Sequence, residues 1–370
     1  MENLEINKLF GGIYKNKKVV VTGHTGFKGS WLAMWLKKMG ADVYGIALDP
    51  PSHPNHIDLL QLEIKSYIQN ICDFNKVKEI LSEINPDIIF HLAAQPLVRL
   101  SYQDPVNTYM TNVMGTVNVL ETARSLSNLK AVVIVTSDKC YENKEWLWGY
   151  RENEAMGGAD PYSSSKGCVE LVTTAYRNSF FNPSNTDEEN KVLIASARAG
   201  NVIGGGDWAT DRILTDIVKA ASISSSVYLR YPKATRPWQY VLEPLSGYLN
   251  LGWKLLLGEK AYAEGWNFGP NTENNISVLN LVMEAKKSWE KISFDFDNTQ
   301  HPHEAGFLML DSSKAIKILE WKPVWGLTKT IEKTIFWYKE FYENNNVISC
   351  QTLEEYILDA QKKEIRWSKT

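Results

Sequence analysis

The chain has 370 residues, of which 44% are hydrophobic, and its formal net charge of −3 gives no electrostatic basis for binding nucleic acid or an anionic membrane. Its four cysteines are scattered and form no cluster with the six histidines, so neither a disulfide framework nor a metal site is predicted. No apolar run is long enough to span a membrane, and we expect a soluble cytoplasmic protein.

Strands and helices alternate along the first half of the chain. Residues 18–22 form a β-branched run that ends in glycine, as a buried parallel strand does, and an apolar helix face follows over 30–39. Further strands are predicted at 43–48, 88–92, 131–136 and 192–197, with helices at 77–84, 111–124 and 161–178. This alternation predicts an α/β fold with a doubly wound parallel sheet of the Rossmann type.

After residue 198 the alternation weakens and loops rich in glycine and proline appear. We therefore predict an NAD-binding Rossmann domain over 1–198 plus roughly 236–260. A smaller, partly interleaved substrate-binding region is predicted over roughly 199–235 and 261–370.

Three glycines, Gly23, Gly26 and Gly29, stand between the first predicted strand and its helix. Glycines here let the backbone turn tightly and approach a pyrophosphate, while the helix start offers free N–H groups. A tight turn without a ligand is the alternative interpretation. Asp49, which follows the second strand, could accept from a ribose 2′-hydroxyl and so favour NAD over NADP, although His24 and Lys28 are expected to add positive charge nearby.

Tyr162 and Lys166 lie four residues apart and so share one helix face. A nearby ammonium, together with the positive cofactor ring, is expected to lower the pKa of the phenol, so that it can take a proton from a sugar hydroxyl. Ser137, Asp138 and Lys139 end the strand 131–136, at the edge where such sheets bind ligands. A solvated turn is the alternative for Asp138 and Lys139.

Several segments resemble the CDP-glucose 4,6-dehydratases of the extended short-chain dehydrogenase/reductase superfamily. The resemblance covers essentially the whole chain. It is carried by the segments 23–32, 91–99, 136–141, 150–154, 160–168, 198–208, 236–244, 265–270 and 301–305.

The resemblance implies a nucleotide-sugar substrate, NAD as cofactor, and a role in deoxysugar biosynthesis for the O-antigen of lipopolysaccharide. It assigns catalysis to Ser137, Asp138, Lys139, Tyr162 and Lys166. It assigns the cofactor to Gly23, Thr25, Gly26, Phe27, Lys28, Gly29, Asp49, Asn70, Ile71, Ala93, Ala94, Tyr162 and Lys166. The substrate contacts that it implies are Gln95, Arg99, Ser137, Asn201, Arg236, Asn267 and His303.

One position departs from the related dTDP-glucose dehydratases, in which an Asp-Glu pair stands where this chain has Asp138 and Lys139. There the aspartate protonates the leaving 6-hydroxyl and the glutamate removes the C5 proton. Lys139 can replace that base only if its amine is neutral.

Other functions remain compatible with these motifs. A 4-epimerase would use the same glycines and the same Tyr/Lys pair without needing an acid at Asp138, and a dehydratase could act on another nucleotide sugar. A non-catalytic NAD sensor would have no need of Tyr162 and Lys166 at helical spacing. Aromatic and apolar side chains over 101–124 lead us to expect a homo-oligomer.

Overall fold

The computed structural model describes residues 4–184, 192–270, 275–297 and 307–369. Its central feature is a seven-stranded parallel sheet with the strand order β10-β6-β5-β4-β1-β2-β3. The strands are β1 Lys18–Thr22, β2 Asp42–Ala47, β3 Lys65–Ile68, β4 Ile88–His91, β5 Ala131–Val135, β6 Leu193–Ala199, β7 Asn201–Ile203, β8 Ser226–Leu229, β9 Thr235–Tyr240, β10 Gly265–Phe268, β11 Asn275–Ser277 and β12 Ser293–Phe296.

Helices cover both faces of this sheet. The α-helices of the described residues, including those that pack beside the smaller sheets, are α1 Phe27–Lys38, α2 His56–Leu60, α3 Phe74–Ile84, α4 Val98–Gln103, α5 Pro105–Tyr109, α6 Gly115–Ala123, α7 Pro161–Phe180, α8 Ile213–Ser222, α9 Leu242–Leu256, α10 Val278–Ser288, α11 Ser313–Lys317, α12 Leu327–Asn344 and α13 Ser349–Lys362. A turn of π-helix, Met110–Met114, joins α5 to α6. The predicted doubly wound α/β fold is confirmed.

The core lies in two layers because alternate residues of each strand point to opposite faces. Val133 of β5 packs in the layer that α1 and α9 cover, whereas Val132 packs in the layer that α3, α6 and α7 cover. Strands β4 and β5 are buried along their whole length, as expected of parallel strands between two helical layers.

The C-terminal helices pack on the face that carries α1. His56 joins the two regions, because one ring nitrogen lies 2.8 Å from Ser30 Oγ in α1 and the other lies 2.8 Å from Ser349 Oγ in α13. Burial lowers the pKa of His56 to about 3, so this histidine is neutral and acts as a structural link.

Two smaller sheets, β11-β9-β7 and β12-β8, stand beside the main one. The seventh strand of the main sheet, β10, comes from the part of the chain that the sequence assigns to the substrate-binding region. The main sheet therefore extends beyond the predicted boundary at 261. Within the described residues, no helix combines the length and the apolar character needed to cross a bilayer, and no group of His, Cys, Asp or Glu could hold a metal ion.

Candidate active site

The loop between β1 and α1 needs glycine at two positions for packing reasons alone. Gly23 has a φ of +74°, and a Cβ there would lie 2.8 Å from the backbone nitrogen of Ala93. A Cβ on Gly29 would lie 2.1 Å from the carbonyl oxygen of Gly23. Both glycines therefore allow close backbone contacts within the protein itself.

Gly26 differs from its two neighbours. Its φ of −80° suits any residue, and a Cβ there would meet nothing closer than 3.4 Å. It is the N-cap of α1, and no side chain accepts from the first N–H groups of that helix. A bare backbone at a helix start suits the close approach of an anion, so the loop fits a dinucleotide pyrophosphate.

The remaining predicted cofactor residues follow the carboxyl ends of adjacent strands. Thr25 Oγ1 donates to the carbonyl oxygen of Leu48 at 2.9 Å, which fixes the glycine loop against the end of β2, and the exposed Asp49 comes next. Asn70 and Ile71 follow β3, and Ala93 and Ala94 follow β4. The sheet thus brings these residues to one edge, as a dinucleotide site requires.

His24 does not add the positive charge that was expected beside the phosphates. Its ring is 1% exposed, with Nε2 lying 2.7 Å from Ser66 Oγ, and it fills the space next to Gly45. Burial lowers the pKa of His24 to about 4, so the imidazole is neutral at pH 7. The expectation is wrong because the side chain turns into the sheet.

The end of β5 forms a short 3₁₀ turn, Asp138–Cys140, capped by Ser137. Ser137 Oγ accepts from the backbone N–H of Lys139 at 3.2 Å and donates to Asp138 Oδ1 at 2.9 Å. The other carboxylate oxygen of Asp138 lies against Gly200, where a Cβ would be only 2.9 Å from it. Asp138 is therefore a buried, positioned carboxyl and not the solvated turn residue of the alternative interpretation.

Tyr162 and Lys166 face the same crevice from the first turns of α7. The helix begins with Pro161 after Asp160, whose side chain accepts from the backbone N–H of Ser163 at 2.9 Å. Tyr162 and Lys166 are 8% and 5% exposed, and Ser137 is close enough to the Tyr162 hydroxyl to influence its pKa. The structure thus joins the two predicted groups at one end of the sheet.

The protein alone shifts the pKa of Tyr162 in the direction opposite to our expectation. Burial raises it to about 12, and the neighbouring Ser137 and Arg212 oppose this only in part. The reason is that removing a phenolate from water costs more than the nearby groups recover. The protein's own groups therefore do not lower this pKa below that of a free tyrosine, and the positive ring of NAD would act in the lowering direction.

Two lysines near this crevice have lowered pKa values. Burial lowers the pKa of Lys166 to about 8, and the neighbouring Cys140 and Glu170 oppose this only in part. Burial and the neighbouring Arg212 lower the pKa of Lys28 to about 8. Lys139 is only half-buried.

A cleft lies beside the crevice, between β7, β9 and the segment that leads into α8. Its walls carry the predicted substrate residues Asn201 and Arg236. They also carry Arg212, Arg230 and Tyr231, which the sequence analysis missed. Three arginines in one cleft offer guanidinium groups to a diphosphate, which would compete with Asp207 for Arg212, 3.3 Å away, and with Asp211 for Arg230, 3.5 Å away. No motif marks Arg212 and Arg230, since only the fold brings them together.

Two predicted substrate residues have their amides engaged within the protein. Gln95 donates to Thr108 Oγ1 at 2.9 Å and accepts from the N–H of Leu97 at 2.5 Å. Asn267 is fully buried, with its oxygen accepting from Tyr141 and its Nδ2 donating to the carbonyl oxygen of Tyr150. These contacts favour structural roles for both residues, because their polar side-chain atoms already have partners.

The last two predicted substrate residues are placed differently. Arg99 is half-buried, and its guanidinium pairs with Asp211 at 3.1 Å, where Asp211 lines the arginine-rich cleft. His303 lies outside the described residues.

Comparison with known proteins shows the family to which this chain belongs. The family model described as GDP-mannose 4,6-dehydratase matches residues 20–334. The chain belongs to this dehydratase family. It is 52% identical over 344 residues to the CDP-glucose 4,6-dehydratase of Salmonella typhimurium, covering 92% of this chain and 96% of that protein. It is also 24% identical to the dTDP-glucose 4,6-dehydratase of the same organism, covering 87% and 92% of the two chains.

Solved structures of other proteins share the fold of this chain. An epimerase from Methanothermobacter thermautotrophicus superimposes with a TM-score of 0.78 at 23% identity, covering 92% of this chain and 96% of that one. The UDP-glucuronic acid 4-epimerase of Bacillus cereus, in complex with UDP-glucuronic acid and NAD, gives 0.73 at 23% identity, covering 88% and 100%. At this identity the likeness shows the fold.

Proposed function

We propose that this chain is an NAD-dependent 4,6-dehydratase that converts CDP-D-glucose to CDP-4-keto-6-deoxy-D-glucose and water. The observation that carries the reaction type is the buried carboxyl of Asp138, held by Ser137 beside Tyr162. The choice of CDP-glucose rests on the 52% identical Salmonella typhimurium relative of that activity.

The glycine loop and the ends of β2, β3 and β4 are proposed to hold NAD, with Gly26 against the pyrophosphate and Asp49 at the adenine ribose. Bound NAD would supply the hydride acceptor for C4 of the sugar and the hydride donor for C6 within one turnover. Lys28, next to Gly29, is proposed to lie near the phosphates, where an anion would favour its charged form.

In the first step, Tyr162 takes the proton of the sugar 4-hydroxyl, and Ser137 orients that hydroxyl by a hydrogen bond. Tyr162 must be ionised to act as a base, and its burial opposes this. Lys166 supports the phenolate as an ammonium four residues along the same helix face. General-base catalysis of this kind contributes about 10²- to 10⁴-fold in rate.

In the second step, the C4 ketone acidifies the C5 proton and water leaves from C6. Asp138 is the proposed acid, because its carboxyl is fixed between Ser137 and Gly200 and can protonate the departing hydroxyl. Lys139 is the proposed base at C5, in the position at which the dTDP-glucose dehydratases carry a glutamate. This role requires a neutral amine in the substrate complex.

The diphosphate of the substrate is proposed to bind Asn201 and Arg236 in the cleft, with Arg212 and Arg230 as further cations. Guanidinium groups match phosphate oxygens in pairs, so these contacts would hold the nucleotide while the hexose enters the crevice.

A 4-epimerase is the second candidate, because epimerases of known structure share this fold. An epimerase returns the hydrogen to C4 and eliminates nothing, so it has no use for an acid fixed beside the sugar. The position of Asp138 favours the dehydratase.

Incubation of the purified protein with CDP-, dTDP-, GDP- and UDP-linked hexoses, followed by mass measurement of the products, tests this proposal. Loss of one water from CDP-glucose alone is the expected result. An unchanged mass with inversion at C4 would identify an epimerase, and loss of water from another nucleotide sugar would correct the substrate.

We further propose a cytoplasmic homo-oligomer that serves deoxysugar biosynthesis for a lipopolysaccharide O-antigen. The four cysteines are free thiols, which suits a reducing compartment. The side chains of Tyr102, Val106 and Met110, on consecutive helical segments, are 66%, 73% and 43% exposed, and a second copy is their proposed partner. Light scattering of the wild-type protein and of Val106→Glu would test this, since the charged variant should dissociate.

A further inference from the structure

A buried ion pair lies one helical turn beyond Lys166. Glu170 follows Lys166 by four residues, so both side chains lie on one face of α7. The Glu170 carboxylate accepts from Arg198 Nη2 at 2.8 Å, from Ser196 Oγ at 2.7 Å and from Thr136 Oγ1 at 2.5 Å. The Glu170 and Arg198 side chains are 2% and 5% exposed, so the pair is shielded from water.

The protein keeps both members of this pair charged. Burial alone would raise the pKa of Glu170, but the charge of Arg198 and the hydrogen bonds to the carboxylate outweigh it and lower that pKa. Attraction to Glu170 likewise raises the pKa of Arg198 despite the burial. A charged pair with several hydrogen bonds holds one geometry in a core, because any displacement leaves a buried charge without its partner.

The same arginine also reaches the far end of the Ser137–Asp138–Lys139 turn. Arg198 Nη1 donates to the hydroxyl of Tyr141 at 2.6 Å, and the guanidinium lies over the Tyr141 ring, 5.1 Å from its centre. The Tyr141 hydroxyl in turn donates to Asn267 Oδ1 at 2.8 Å, and Tyr141 is 1% exposed. Asn267 is fixed by β10, the strand next to β6.

Thr136 and Tyr141 therefore bracket the turn that carries the proposed acid, and both are bonded to one ion pair. We infer that the Arg198–Glu170 pair, acting through Tyr141 and Thr136, is a positioning device that sets Asp138 relative to the sugar held at α7. This inference rests on the proposed dehydration. None of the four residues is assigned a contact with the substrate.

The two ends of the device should act on different steps. Glu170 is part of α7, so Tyr162 and Lys166 keep their places on the helix when the Tyr141 end is released. Asp138 lies in the turn itself and would shift with it. Releasing Tyr141 should therefore slow elimination of water more than oxidation at C4.

Tyr141→Phe is the appropriate variant, because it removes one hydroxyl and keeps the ring stacked on Tyr150 at 5.2 Å. Replacing Glu170 or Arg198 would leave a buried charge unpaired and would disturb folding as well. Tyr150→Phe is the matched control. Within the described residues, the Tyr150 hydroxyl bonds to near neighbours in the chain, accepting from the N–H of Lys144 at 2.6 Å and donating to Asn143 at 3.2 Å.

The experiment measures kcat, KM and the fraction of enzyme-bound cofactor that is reduced during turnover of CDP-glucose, together with the melting temperature. For Tyr141→Phe we expect kcat to fall roughly tenfold, KM to stay within about twofold, and the reduced fraction to rise. Tyr150→Phe should match the wild type. Thr136→Val releases the other end of the turn and should likewise lower kcat and raise the reduced fraction. It therefore tests the inference if Tyr141→Phe does not fold.

An unchanged kcat in the folded variant would overturn the inference. So would an equal slowing of both steps with no rise in reduced cofactor, since that result would indicate a purely structural residue. Both outcomes assume that the wild-type enzyme dehydrates CDP-glucose. If the wild type gives no dehydrated product, it is the proposed function that fails.

Discussion

At the scale of single residues, the site depends as much on missing side chains as on reactive ones. Gly200 joins β6 to β7, and a Cβ there would lie 2.9 Å from Asp138 Oδ2, closer than such atoms approach in proteins. One carboxylate oxygen of Asp138 faces this gap while the other accepts from Ser137. The lack of a side chain at 200 is thus what allows the proposed acid to stand in the crevice.

We expect Gly200→Ala to displace Asp138 while leaving Tyr162 in place. Elimination should then slow by about 10²-fold, with enzyme-bound reduced cofactor accumulating, because a misplaced acid no longer reaches the leaving hydroxyl. Stopped-flow absorbance of the cofactor and mass measurement of the product would show this. Gly326→Ala is the control, since Gly326 has a φ of −77° and no atom within 4 Å of an added Cβ. Full-speed dehydration by Gly200→Ala would refute the assignment of Asp138.

At the scale of elements, the junction of β1 and α1 uses glycine for two different reasons, close packing of the loop and space for the cofactor. Gly29→Ala should disrupt the loop, because its Cβ would lie 2.1 Å from the carbonyl oxygen of Gly23. Gly26→Ala should leave the fold intact but weaken NAD binding, because the methyl group would occupy the space into which the pyrophosphate approaches. Calorimetric NAD titration and thermal unfolding of both variants would separate the two effects. Equal NAD affinity in Gly26→Ala and the wild type would contradict the proposed cofactor site.

The sequence predicted those elements that have strong periodicity and missed those that lack it. Strands β1, β4, β5 and β6 are apolar and are found within a residue or two of their predicted bounds. Strand β3, Lys65–Ile68, lies at the sheet edge with polar, mostly exposed residues, and β10 contains Gly265 and Asn267, so neither pattern indicates a strand. Both take their place only through pairing with a neighbouring strand.

The same limit applies to the site. Spacing was sufficient to bring together Tyr162, Lys166 and Ser137, because a helix face and a strand end are regular. It could not show that Gln95 and Asn267 use their amides inside the protein, since their partners Thr108 and Tyr141 are fixed by tertiary contacts. The family resemblance implied substrate contacts for both residues and gave no information on these internal partners.

At the scale of the whole molecule, burial of Lys166 costs stability, and this cost depends on pH. Its pKa is about 8 in the folded protein, against 10.5 for a free lysine side chain, so between these values the unfolded chain binds more protons than the folded one. Stability from this group therefore rises with pH across that window. The difference in unfolding free energy between the wild type and Lys166→Met should therefore shift by about 2 kcal/mol in favour of the wild type as the pH rises from about 7.5 to about 10.

Urea unfolding of both proteins at several pH values would measure this difference. Titrating groups that do not interact with Lys166 are common to both chains and cancel in the comparison. Because Lys166 itself lowers the pKa of Lys28, the comparison is made with Lys28→Met in both chains. Lys130→Met is the control, because Lys130 is exposed just before β5 and its loss should give no such rise. A constant difference between wild type and Lys166→Met across the range would show that Lys166 is not desolvated.

The complete catalytic cycle requires that the whole molecule keep cofactor and sugar in one enclosed crevice, and isotopes test this. CDP-glucose carrying deuterium at C4 should give product with deuterium at C6, because α7 and the β5 turn hold both partners until water has left. In deuterated water, C5 should gain one solvent deuterium, since the proton removed there passes through an exchangeable protein group. No free reduced cofactor should accumulate. Tyr162 with Lys166 would by itself explain only the loss of deuterium from C4. Asp138 with Lys139 would by itself explain only the exchange at C5. Both results together are predicted only if the two pairs of residues share one site. Deuterium retained at C4, or lost into free reduced cofactor, would refute the dehydratase mechanism.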